Sequence, residues 1–91
     1  MACEIVMEKQ RVRASEELFL DYTLSKRRAK GGLVLYSLLI EETQAGKGEF
    51  VFLDALTDDE KQARELFSLF AKETVTPCTA EDILQEILYA P

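Results

Sequence analysis

The stretch GGLVLYSLLIEE, residues 31 to 42, decides the fold. A glycine pair enters it, two glutamates leave it, and between them only Ser37 and the Tyr36 hydroxyl interrupt an apolar run. Apolar residues on both parities fit a central strand covered on both faces or a buried helix. A run of about nine residues bounded by glycines is short for a helix, so residues 33 to 41 are read as a central strand. The run is also about half the roughly 20 residues that a membrane-crossing helix needs.

Toward the N-terminus, Lys26-Arg27-Arg28-Ala29-Lys30 precedes the glycine pair and reads as a charged loop. Before it, Leu18, Leu20, Tyr22 and Leu24 alternate with Phe19, Asp21, Thr23 and Ser25, the period-two signature of a strand with one apolar face. Residues 4 to 13 alternate only loosely, with Val6 and Val12 on one parity and Ile5 and Met7 on the other, and form a first strand turned at Arg13 to Glu16. Toward the C-terminus, Glu42 to Glu49 is a polar turn with two glycines, and Phe50 to Leu53 is a fourth strand. Connections this short permit antiparallel pairing, since parallel strands need crossovers of about a dozen residues or more.

At Thr57-Asp58-Asp59-Glu60 the period changes. Thr-x-x-Glu has the spacing of a capping box, and Ala63, Leu66, Phe67, Phe70 and Ala71 then fall on one helical stripe. Pro77 is read as the stop of that helix and Thr79 as the cap of a second, whose stripe is Ala80, Ile83, Leu84, Ile87 and Leu88. The expected fold is one α+β domain over residues 1–91: a four-stranded antiparallel meander followed by two C-terminal helices packed on the sheet. One helix layer covers one sheet face. Phe19 and a whole parity of the third strand are left for the last helix or a partner to cover.

Composition narrows the function. The 91 residues are 47% hydrophobic and 31% charged, an ordinary folding balance. The chain has no histidine, which removes the commonest general base and metal ligand together and excludes Ser-His-Asp and Cys-His catalysis within one chain. The two cysteines, Cys3 and Cys78, have neither a disulfide framework nor zinc spacing. No catalytic residue, metal or cofactor is expected, and a start without a basic-then-apolar leader reads as cytoplasmic. The net charge is −6, with eight Lys/Arg against seven Asp/Glu in residues 1–48 but three against ten in 49–91.

Three features are candidates for function. Lys26, Arg27, Arg28 and Lys30 form the basic cluster, suited to phosphates or equally to a solvated loop that discourages edge pairing. Cys78 stands at a helix start, where free amides favour a thiolate, but Glu81 and Asp82 oppose one and no base accompanies it. Ala45-Gly46-Lys47-Gly48 lacks the spacing of a phosphate loop and is a hairpin turn.

Tyr36-Ser37-Leu38-Leu39-Ile40-Glu41, the Thr57-Asp58-Asp59-Glu60 helix start, and Val75-Thr76-Pro77 followed by Glu81-Asp82-Ile83-Leu84 together resemble a family of small uncharacterised proteins from clostridia and related Firmicutes, over about residues 18 to 88. The resemblance implies a stand-alone bacterial cytoplasmic protein and brings no site residues with it. The surplus apolar surface makes a non-enzymatic interaction module the leading expectation, with a protein partner or a second copy of the chain as occupant. A nucleic-acid-associated regulator using the basic cluster is the runner-up, and a cysteine enzyme is third.

Overall fold

The computed structural model describes residues 4–89, with side chains to residue 87. Four strands, β1 (Ile5–Arg13), β2 (Leu18–Arg28), β3 (Val34–Gln44) and β4 (Lys47–Thr57), precede α1 (Glu60–Lys72) and α2 (Pro77–Tyr89). The strands lie in the order β1-β2-β3-β4, every neighbour antiparallel, which is the expected meander. A two-residue turn joins β3 to β4, with Ala45 at φ 50° and Gly46 at φ 82°. Positive φ at both central residues matches the right-handed twist of the flanking strands.

One face of the sheet is packed. Leu20, Tyr22 and Leu24 from β2, Leu38 and Ile40 from β3, and Leu53 from β4 are buried beneath Ala63, Leu66, Phe67, Phe70 and Ala71 of α1 and Ala80 of α2. Each large apolar side chain so buried is worth about 1.5 to 3 kcal/mol. Ile83 and Leu84 pack at the margin of this core, Ile87 is exposed, and the Leu88 side chain lies outside the described residues. The loose alternation of β1 has a physical cause: the register shifts between Val6 and Glu8, so Val6 lies opposite Ser25 while Val12 lies opposite Leu20. A bulge thus moves one parity from face to face, and Met7 and Val12 both reach the core.

Both helix starts differ from expectation. Strand β4 continues through Thr57, which keeps that residue extended and leaves Asp59 as the N-cap of α1. The Asp59 carboxylate accepts from the amides of Lys61 at 2.9 Å and Gln62 at 3.4 Å. Thr57 braces the junction instead, its hydroxyl accepting from the Asp59 amide and donating to Gln62 Oε1 at 2.6 Å. Helix α2 begins at Pro77, not Thr79: the Thr76 carbonyl accepts the Ala80 amide at 3.0 Å. Pro77 is therefore the first residue of a helix and not the stop of the previous one, since its missing N–H would have had no intrahelical partner there.

What ends α1 is Thr74. Its φ of 55° lets the Val75 amide reach back to the Phe70 carbonyl at 3.0 Å and its own amide to Ala71 at 3.3 Å, the two bonds of a Schellman motif. The turn is fixed from below by Tyr22, whose hydroxyl donates to the Val75 carbonyl at 2.8 Å. Burial pushes the Tyr22 phenol up to about 12.

Candidate functional site

The pleat assigns every second residue to the face opposite the helices. Phe19, Asp21, Thr23, Ser25 and Arg27 of β2, Leu35, Ser37, Leu39 and Glu41 of β3, and Phe50, Phe52 and Asp54 of β4 line it, joined by Lys9, Arg11 and Arg13 of β1. Neither helix covers this face. The molecule measures 45 × 35 × 17 Å, the thickness of one helix layer on one sheet. The reading of β3 as covered on both faces is therefore corrected: it is central within the sheet, but no helix lies on the second side, where Ser37 is buried among its neighbours while Leu35 and Leu39 are only half-buried.

This face is graded from one edge to the other. At the β4 edge Phe50 is 72% exposed and Phe52 is 42% exposed, both pointing to the uncovered side beside Glu41 and Leu39. In the middle, Arg11 donates to both oxygens of Asp21 at 2.9 and 3.1 Å, and stands 5.2 Å from the Phe19 ring centre, with Arg13 at 5.9 Å. These cation–π contacts hold the β1 edge basic and the Phe19 ring partly sheltered. At one end Arg27 is ion-paired to Asp54 and Glu4, and Ser37 donates to Asp54 at 3.2 Å while accepting the Ala55 amide at 3.0 Å. The Ser37 bonds secure a bulge where the register shifts and Ala55 takes a φ of 52°. Arg27's hydrogen bond holds the Asp54 carboxyl below its ordinary value.

The structure divides the basic cluster. Lys26, Arg27 and Arg28 extend β2 as strand residues and do not form a loop, and Lys30 begins a 3-10 turn ending at Gly32. Alternation sends Arg27 to the uncovered face and Lys26 toward the helix layer, where it lies opposite Tyr36 and helps Arg64 hold Glu60 below the usual carboxylate value. The four cations so do not converge on one surface. Cys78 lies in the first turn of α2, exposed, with its thiol donating toward Glu49 Oε2 at 3.7 Å. The hollow beside it is lined by Glu49, Glu81 and Asp82, three carboxylates that repel a thiolate. A larger hollow, of about 760 Å³, runs along the outer side of α1 and is walled by that helix alone, so no side chains converge on it.

Among the described residues no group of three or more Cys, Asp and Glu side chains is placed to hold a metal, and no helix is long and apolar enough to cross a membrane. A family model described as a family of unknown function, DUF6514, matches residues 1–90. The chain belongs to that DUF6514 family. An uncharacterised family is what the resemblance over residues 18 to 88 implies, and the match to DUF6514 covers nearly the whole chain, with no assigned activity to bring to it. No curated protein and no solved structure matches the chain.

The sequence left the aromatic pair of the uncovered face unassigned. Phe50 and Phe52 were visible only as strand residues, because deciding which parity of β4 faces the helices requires the register with β3. The signal available was the count of faces: two helices for two sheet faces, with four polar residues on one parity of β2.

Proposed function

We propose that this chain is a non-enzymatic interaction module that docks a protein partner on the uncovered face of its sheet and acts in the cytoplasm. The observation that supports it is the pair Phe50 and Phe52, adjacent on one face and exposed in a chain whose other large aromatic side chains on the sheet are buried or sheltered. Large aromatics on a flat, water-facing surface are the residues that anchor protein interfaces, and contiguous apolar patches mark such surfaces. A nucleic-acid role for Lys26, Arg27, Arg28 and Lys30 has less support, because the strand pleat divides them between faces and Arg27 is already engaged by carboxylates.

Affinity capture with the wild-type chain and with the Phe50→Lys/Phe52→Lys variant tests this reading. Protein retained by the first and lost by the second, with both folded by circular dichroism, is the expected outcome. Equal retention by both would move the interaction off this face and overturn the reading.

A further inference from the structure

Resting on that reading, we propose that the occupant of the uncovered sheet face is a second copy of this chain, packed face to face about a two-fold axis parallel to the strands. Rotation about that axis reverses the strand order while keeping position along the strands, so β1 of one copy lies over β4 of the other. The rows of the face then meet their own reversals. One row runs Lys9, Thr23, Leu39, Phe52 and the next runs Arg11, Asp21, Glu41, Phe50. Lys9 is thereby set over Phe52 of the second copy and Arg11 over Phe50, while Thr23 meets Leu39 and Asp21 meets Glu41, a carboxylate pair with the Arg11 guanidinium that holds Asp21 beside it. Within one chain Arg11 already packs against an aromatic ring, that of Phe19, at 5.2 Å, so the surface pairs guanidinium with phenyl in the way the dimer repeats.

The pairing of the two edges and the area both favour this occupant. Arg11 is matched by Asp21 and Arg27 by Asp54, whereas Lys9 forms no ion pair among the described residues and Arg13 donates only to backbone carbonyls, which leaves the β1 edge basic. The basic β1 edge and the aromatic β4 edge complement each other only when the face meets its reversal. Four strands at about 4.8 Å spacing and about ten residues at 3.3 Å give a footprint of roughly 600 Å². Two such faces bury about 1,200 Å², which clears the threshold of about 1,000 Å² for a specific interface and lies at the low end of the standard size. The edges are less suited to pairing, since β1 is lined with Lys9, Arg11 and Arg13 and the β4 edge is bulged at Ala55.

Sedimentation equilibrium from 1 to 200 µM, on the wild-type chain, Phe50→Lys/Phe52→Lys and Lys9→Glu/Arg11→Glu, tests the proposal. The expected result is a wild-type dimer that dissociates on dilution, both variants monomeric with native circular dichroism, and a mixed dimer restored when the two variants are combined. A dimer that survives in both variants would overturn the proposal by placing the interface elsewhere. A monomeric wild type would overturn it too. If capture of another protein still depended on Phe50 and Phe52, the interaction reading would stand without the second copy. Binding of single-stranded RNA by a monomeric wild type would also refute the proposal, and would assign the aromatics to base stacking.

Discussion

Tyr22→Phe removes one oxygen atom from the centre of the molecule and is expected to destabilise it substantially. The ring is fully buried between the sheet and α1, and phenylalanine fills the same space, so packing is preserved. What is lost is the bond from the Tyr22 hydroxyl to the Val75 carbonyl at 2.8 Å, which ties the sheet to the turn between the helices. A neutral hydrogen bond is worth about 0.5 to 1.5 kcal/mol net, and a carbonyl left buried without its donor adds to the loss, giving roughly 2 kcal/mol. For a domain of this size that lowers Tm by about 8 to 16 °C. The same residue shapes the alkaline limb. Its phenol titrates near 10 when unfolded but at about 12 in the fold, so its contribution is complete below pH 10 and lost as pH rises through 12. Two units correspond to roughly 3 kcal/mol, and this loss is absent in the variant. Thermal melts at pH 7 and urea denaturation of both proteins between pH 7 and 12 measure the two effects. An unchanged Tm at pH 7, or an alkaline limb that persists in Tyr22→Phe, would refute the reasoning.

Asp59→Ala should cost about 0.5 to 2 kcal/mol by thermal melt, and Thr79→Ala measurably less, because Asp59 caps α1 whereas Thr79 lies within α2. Thr74→Gly should raise Tm, since the left-handed φ of 55° costs a β-branched residue about 1 to 2 kcal/mol and glycine only part of that in unfolded-chain entropy. In acid, Asp54 and Glu60 have folded pKa values held down by Arg27 and Arg64, so their contributions are complete above the unfolded carboxylate range near pH 4 and disappear as pH falls through the lower folded values. Arg27→Met should flatten that acid limb in urea titrations at pH 2 to 5.

Most of the fold was legible in the sequence, and the reasons are local. The clean alternation from Leu18 to Ser25 and the stripe from Ala63 to Ala71 each mark one side for the core, and Leu20, Tyr22 and Leu24 and the helix stripe are buried as read, although Thr23 and Ser25 on the other parity of β2 are buried too. The errors cluster where tertiary contacts overrule local chemistry. Thr57 has the capping-box spacing but is kept in β4, and Lys26 to Arg28 look like a loop yet pair residue by residue with Val34 to Tyr36. Pro77 reads as a stop but begins α2, because the same missing N–H that stops a helix also suits its first residue. The site was legible only as surplus: residues on the outer parity of β3 required a cover, but which β4 aromatics joined them depended on a register that periodicity alone does not fix.

Oxidative footprinting of the side chains at 1 and 200 µM measures whether a second copy covers Phe50 and Phe52 in solution. Labelling of Phe50 and Phe52 is expected to fall severalfold at the higher concentration while exposed Leu33 and Ile87, away from the face rows, label equally at both. Equal labelling of the two phenylalanines at both concentrations would contradict it.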